Sequence, residues 1–186
     1  MIPMVAAGLV GFGQVPTDLQ GRFLAADLQV VRVKPSALPQ LLTHFPKILI
    51  PELERRGCTI PQGPNSKVHN VIKGEFAKPG QIDWALICSV NRVSSILVYW
   101  NGEPSDPTEI AKMADIHCLA GDGPRTISFS CAIATVGKDY IMKHYTAYGG
   151  PKPPPIDHEG IDSSIGMGSV VNYFYKGKWL RLTGAD

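Results

Sequence analysis

The densest set of chemically capable side chains in this 186-residue sequence is Asp157-His158-Glu159-Gly160-Ile161-Asp162. Asp157, Glu159 and Asp162 offer oxygen ligands to a hard cation, and Gly160 lets the chain bend so that backbone carbonyls can turn inward as well. Calcium is the ion such a loop suits, with those three carboxylates as its ligands. The run lacks the D-x-D-x-D-G spacing and distal Glu of an EF-hand, so a solvated acidic turn is the competing expectation. His158 beside Glu159 would serve a transition metal, but no second histidine sits at helical or strand spacing from it. His44, His69, His117 and His144 are expected to be surface or partly buried side chains. Asp115, His117 and Ser130 can be drawn into a hydrolytic triad on paper, without a G-x-S-x-G elbow to support it. No phosphate-binding loop, dinucleotide fingerprint or H-E-x-x-H run occurs.

Aromatic residues are the second lead. Tyr173 and Tyr175 fall on one face of an expected strand, with Phe174 on the other and Trp179 across the following turn. Cross-strand aromatic pairs stabilise sheets. Left open to solvent, Tyr173, Tyr175 and Trp179 would instead form a ligand platform for a protein, peptide or glycan partner.

These residues need elements to position them. The 19 glycines and 16 prolines favour many turns over long helices. Residues 27–34 suggest a short strand or the lead into a helix, and Ser36 is a candidate helix N-cap. From Leu38 to Arg56, apolar residues recur at three- and four-residue spacing. Pro46 and Pro51 interrupt that pattern, which predicts a kink or two short helices ending at Gly57. Strand character then dominates: 68–76, 82–89 and 94–100, with a hairpin around Val90–Val93 and a turn at Asn101-Gly102. Pro107–Lys112 is expected as a single helical turn. Thr126–Thr135 and Asp139–Ala147 are expected as an antiparallel pair, and 149–156 as a proline-rich surface loop. Ser169–Tyr175 and Lys178–Thr183 flank a Lys176-Gly177 turn, a further hairpin. The expected fold is α+β: a mainly antiparallel sheet of about six to eight strands behind an N-terminal proline-broken helical region. Residues 1–26 are expected as an apolar N-terminal segment and 27–186 as a single domain.

Charge and cysteines bound the setting. A net charge of +2, with scattered Lys and Arg, argues against a nucleic-acid partner. No run has the roughly 20 apolar residues of a transmembrane span. Residues 1–13 carry no charge and read as a signal-peptide remnant, although no basic residue precedes them, or else as an apolar arm. Cys58, Cys88, Cys118 and Cys131 show no zinc spacing and admit three disulfide connectivities. A bridge from Cys118 to Cys131 across the turn-rich 120–124 segment would leave Cys58 to tie the helical region to Cys88. Four reduced, buried thiols are the alternative. Export predicts a periplasmic or secreted protein; without a signal remnant in 1–13 the chain would be cytoplasmic.

Val71-Ile72-Lys73-Gly74-Glu75-Phe76, Gly80-Gln81-Ile82-Asp83 and the strand ending at Asn101-Gly102 together resemble one FG-GAP-type β-propeller repeat. The acidic calcium loop of that family is replaced here by Ala77-Lys78-Pro79-Gly80-Gln81, and a single copy cannot close a propeller. Residues 37–186 more broadly look like uncharacterised, exported bacterial proteins. That resemblance implies a shared fold and export, and no activity. The functional expectation is a non-catalytic, exported binding or accessory protein. The alternative is a small hydrolase or metal-dependent enzyme built on the 157–162 acidic loop.

Overall fold

The computed structural model describes residues 19–64, 67–121, 126–165 and 168–185. The uncharged stretch 1–13, on which the export expectation rests, lies outside the described residues. The first described element is helix α1 (Leu19–Gln29), whose Phe23 and Ala26 pack against a buried apolar cluster. The expected division between residues 26 and 27 therefore falls inside a helix. Two-residue strands β1 (Arg32–Val33) and β2 (Ile60–Pro61) pair antiparallel and bracket the helical region.

That region is broken at its prolines. Helices α2 (Leu38–Leu41) and α3 (Ile50–Arg55) carry Pro39 and Pro51 in their first turns, where a missing N–H costs no helical hydrogen bond. Ser36 lies inside a 3-10 turn, Pro35–Ala37, rather than capping it. Gly57 ends α3 at φ +73°, a left-handed conformation that favours glycine, and the next amide, of Cys58, bonds back to the Leu53 carbonyl. Leu38, Phe45, Leu49 and Leu53 are buried from this side against Leu86, Leu97 and Tyr99.

The sheet those residues cover is a four-stranded antiparallel meander: β3 (Val71–Gly74), β4 (Asp83–Val90), β5 (Val93–Tyr99) and β6 (Thr108–Ala114). Asn91 and Arg92 turn β4 into β5 with φ of +50° and +63°, matching the twist of a two-residue hairpin. The second face of the sheet is also covered, with Ala85, Ile87, Ile96 and Val98 packed on Phe76, Cys118 and Phe129. Strand β6 replaces the helical turn expected at Pro107–Lys112. Pairing with β5 overrides the local helix signal there, and a register shift opposite Ser94–Ile96 accommodates Ala111 at φ +53°.

The second half begins with the small pair β7 (Leu119–Ala120) and β8 (Ser128–Phe129). A second four-stranded antiparallel sheet follows, in the order β12-β11-β10-β9: β9 (Ile133–Val136), β10 (Gly160–Ser163), β11 (Val170–Tyr175) and β12 (Lys178–Thr183). The strand expected at Asp139–Ala147 is instead helix α4 (Lys138–Tyr148). Its β-branched and aromatic content suggested a strand, yet Ile141 and His144, three residues apart, are the pair it buries. The partner of β9 is β10, which leaves α4 to cover the sheet. The protein is thus α+β, but its described residues divide into two four-stranded and two two-stranded sheets instead of one sheet of six to eight strands. The larger sheets meet where β3 approaches β9. Thr135 Oγ1 donates to the Lys73 carbonyl at 2.9 Å, and the Glu159 amide donates to the Glu75 carbonyl at 3.1 Å.

Two disulfides, Cys58–Cys88 and Cys118–Cys131, leave no free cysteine. The first ties the end of the helical region to β4. The second closes the segment that carries β7 and β8.

Candidate functional site

The acidic segment lies at the seam between the two sheets. The proline-rich stretch 149–156 delivers it, anchored by Ile156, which is buried with Val136, Ile141, Val171 and Tyr173. The Asp157 amide donates to the Tyr173 hydroxyl at 3.2 Å, and that hydroxyl donates onward to Asp157 Oδ1 at 3.1 Å. Burial pushes the Tyr173 hydroxyl pKa up, so it stays a donor to the carboxylate.

His158 lies flat on the Tyr173 ring, with centroids 4.3 Å apart and planes 8° from parallel. Its Nδ1 is 3.0 Å from the Glu159 carbonyl, which can only accept, so Nδ1 carries the proton. Nε2 then presents its lone pair when the ring is neutral. The nearest carboxylate, Asp157 Oδ1, is 3.8 Å from Nε2, beyond hydrogen-bonding distance. Glu159 crosses to the other sheet, where its Oε2 accepts from the Glu75 amide at 2.8 Å. That path runs over Gly74. A Cβ at that position would sit 2.8 Å from the same oxygen, so glycine is what permits the crossing.

Around these groups opens a cleft of about 440 Å³, lined by Glu75, Gly137, Lys138, Ile156, Asp157, His158 and Glu159. Gly137 precedes α4 without a side-chain cap, so the first-turn amides of that helix begin at the cleft wall. Asp162 is not part of the cleft. It stands on β10 and accepts from Tyr140 Oη at 2.8 Å and from Ser169 Oγ. Asp157, Glu159 and Asp162 therefore have three separate sets of partners. Among the described residues, no group of three His, Cys, Asp or Glu side chains is placed to hold one metal ion.

The aromatic candidates separate in the same way. Tyr173 is fully buried, and Tyr175 packs partly buried against the same cluster as Ile156. Trp179 lies on the opposite face with Phe174 and stacks on Trp100 at 5.8 Å and 19°, joining the end of β5 to the β11–β12 hairpin. The paper triad does not assemble. Asp115 is fully buried and accepts from Ser89, Ser94 and Arg32, while Ser130 donates to the Cys118 carbonyl.

In the stretch with the repeat-like pattern, Asp83 organises the loop. Its carboxylate accepts from the Ala77 amide, Gln81 Nε2 and the Asn101 amide at 2.7 to 2.9 Å. Glu75 and Lys138 were missed as site residues, because no local motif marks either one and only the tertiary fold brings them to His158.

The chain matches no family model, no curated protein and no solved structure.

Proposed function

We propose that the chain is an exported, non-catalytic binding protein that takes its ligand in the cleft at Asp157–Glu159. The observation that carries this reading is the cleft's content. Its volume falls within the range typical of small-molecule sites, and it offers carboxylates, an imidazole nitrogen and an ammonium group. No serine, threonine or cysteine is among the described residues that line it, so the hydroxyl or thiol nucleophile of an acyl-transfer enzyme is missing from its wall. Two formed disulfides support export, since such bonds persist in oxidising compartments. Among the described residues no helix is long and apolar enough to cross a membrane. The stretch resembling an FG-GAP-type repeat contributes Glu75 to the cleft, and calcium has no assigned role.

A hydrolase is the second reading, and His158 favours it: a neutral ring with Nδ1–H fixed on a carbonyl leaves Nε2 free as a base. One set of measurements separates the two. The full chain, recovered from the periplasm of a bacterial host, should show no free thiols after denaturation. It should also leave p-nitrophenyl acetate unhydrolysed above the buffer rate. Turnover that His158→Gln abolishes would establish the hydrolase reading instead, and four free thiols would remove the support for export.

A further inference from the structure

The cleft holds charges of both signs, and this narrows the chemistry of what can fill it. Glu75, Asp157 and Glu159 bring carboxylates to its wall, and Lys138 brings an ammonium group at the first position of α4. Glu159 already accepts one hydrogen bond from a backbone amide. Asp157 is two-thirds exposed, with one oxygen bonded to Tyr173. A second, independent feature points into the same space. The His158 side chain is only 5% exposed, and its Nε2 has no hydrogen-bond partner although the residue lines the cleft. The ring is held by its Tyr173 face and its Nδ1 bond, which leaves Nε2 as the edge that a ligand or water can meet. The tautomer fixed by the Glu159 carbonyl makes that nitrogen an acceptor when the ring is neutral. Acceptors thus gather on the 157–159 segment and Glu75, and donors on α4, where the uncapped first-turn amides stand beside Lys138. Asp139 also stands in the first turn of α4, and Lys138 offsets its charge, so the first-turn amides and the ammonium group remain the donors a carboxylate can meet. Carboxylates with an imidazole lone pair favour an ammonium group.

Resting on the binding reading above, we propose that the cleft recognises a zwitterion, an α-amino acid or the terminus of a short peptide. The ligand's ammonium group meets Asp157, Glu75 and His158 Nε2. Its carboxylate meets Lys138 and the start of α4. Capture of chain termini by such paired groups is a known mode of peptide recognition.

The test follows amide resonances of the isotope-labelled full chain during titration with four probes: glycine, triglycine, N-acetyl-triglycine and triglycine amide. Triglycine is expected to shift resonances of residues 137–139 and 157–159, and blocking either end should weaken binding at least about tenfold. Asp157→Asn should remove the penalty for acetylating the amine while keeping the penalty for amidating the carboxylate, and Lys138→Ala should do the reverse. Glycine binding as tightly as triglycine identifies the free amino acid as the ligand, and weaker glycine binding identifies the peptide. Equal binding of all three tripeptides overturns the proposal, as does the absence of shifts in the cleft at about 10 mM probe, well beyond weak millimolar affinity. Chitotriose, titrated in parallel, keeps the two conclusions apart. Shifts at 157–159 with chitotriose alone would overturn the zwitterion and leave the binding reading standing.

Discussion

Two sets of carboxylates divide this molecule, and they are treated in opposite ways. Asp83 and Asp115 are fully buried, and every carboxylate oxygen is engaged. Asp83 holds the 77–81 loop and the Asn101 turn in place. Asp115 accepts from Ser94 on one oxygen and from Ser89 and Arg32 on the other, and Arg32 in turn pairs with Asp27 of α1. At the seam between the sheets, Asp157 faces solvent with one hydrogen-bonded oxygen, and His158 keeps Nε2 free. Burial forces saturation, because a sealed charge without partners is too costly to keep. Polar groups at the seam escape that demand and retain capacity for something outside the chain. A constellation that looks catalytic on paper, such as Asp115, His117 and Ser130, can therefore be fully absorbed by the fold. A plain acidic turn can remain available.

The contrast breaks if Asp115 proves dispensable. Asp115→Ala takes the acceptor from two buried serine hydroxyls and one of the two carboxylates from the Arg32 guanidinium, and should cost about 3–5 kcal/mol of unfolding free energy. Urea denaturation measures this directly. A loss below about 1 kcal/mol, the size of an ordinary surface substitution, would mean that buried and seam carboxylates do not differ as argued. The disulfides rank next. Cys58–Cys88 closes a separation of 30 residues and Cys118–Cys131 one of 13. Chain-entropy scaling then gives losses of about 3.6 and about 2.9 kcal/mol for paired Cys→Ala replacements. Denaturation of the two double variants should reproduce that order, and its reversal would show that native-state strain or residual unfolded structure outweighs loop length.

How much of this could be read in advance depended on the range of the interaction. Gly57 as a helix end, the Val90–Val93 and Lys176-Gly177 hairpins, and the bridge between Cys118 and Cys131 all rest on signals a few residues long. The structure has each of them. Residues 139–147 suggest a strand because Tyr140, Ile141 and Tyr145 belong to residue types enriched in strands, while the helix that holds them follows from where β10 lies. Strand β6 was misassigned because Pro-Thr-Glu resembles a helix start, and only pairing with β5 selects the extended form. At the candidate site, 157–159 was visible as a polar run. Its partners were not, since Glu75 meets Glu159 across 84 positions of sequence and Lys138 arrives on the helix that was read as a strand.

A smaller effect tests electrostatics on the helical side of the first sheet. The hydrogen bond from Arg55, together with Arg56, holds the Glu52 carboxyl down at about 2. A depressed carboxylate pKa adds stability that is present above the ordinary value of 4.5 and is lost as pH falls from there toward 2. Solvent around the arginines limits the contribution to about 0.3–1 kcal/mol. The difference in stability between the parent and Glu52→Gln should therefore shrink across that window. A difference that stays constant from pH 5 to about 2 would assign the pair no electrostatic role.

The smallest expected effect is the most informative about the seam. Asp157→Asn keeps an oxygen able to accept from the Tyr173 hydroxyl and leaves the backbone bond from residue 157 to that hydroxyl intact. The side chain is 67% exposed, so its charge adds little to the fold. The variant should unfold within about 0.5 kcal/mol of the parent, while a carboxylate whose role is structural would register well above that limit. Paired with Asp115→Ala in the same urea series, the result places the two carboxylates at opposite ends of one scale. If Asp157→Asn costs as much as a buried substitution, the 157–159 segment is a structural latch between the sheets, and its free oxygen reflects solvent exposure rather than capacity for a ligand. If the fold is indifferent to that charge, the free oxygen of Asp157 is available to a ligand's ammonium group at no cost to the fold.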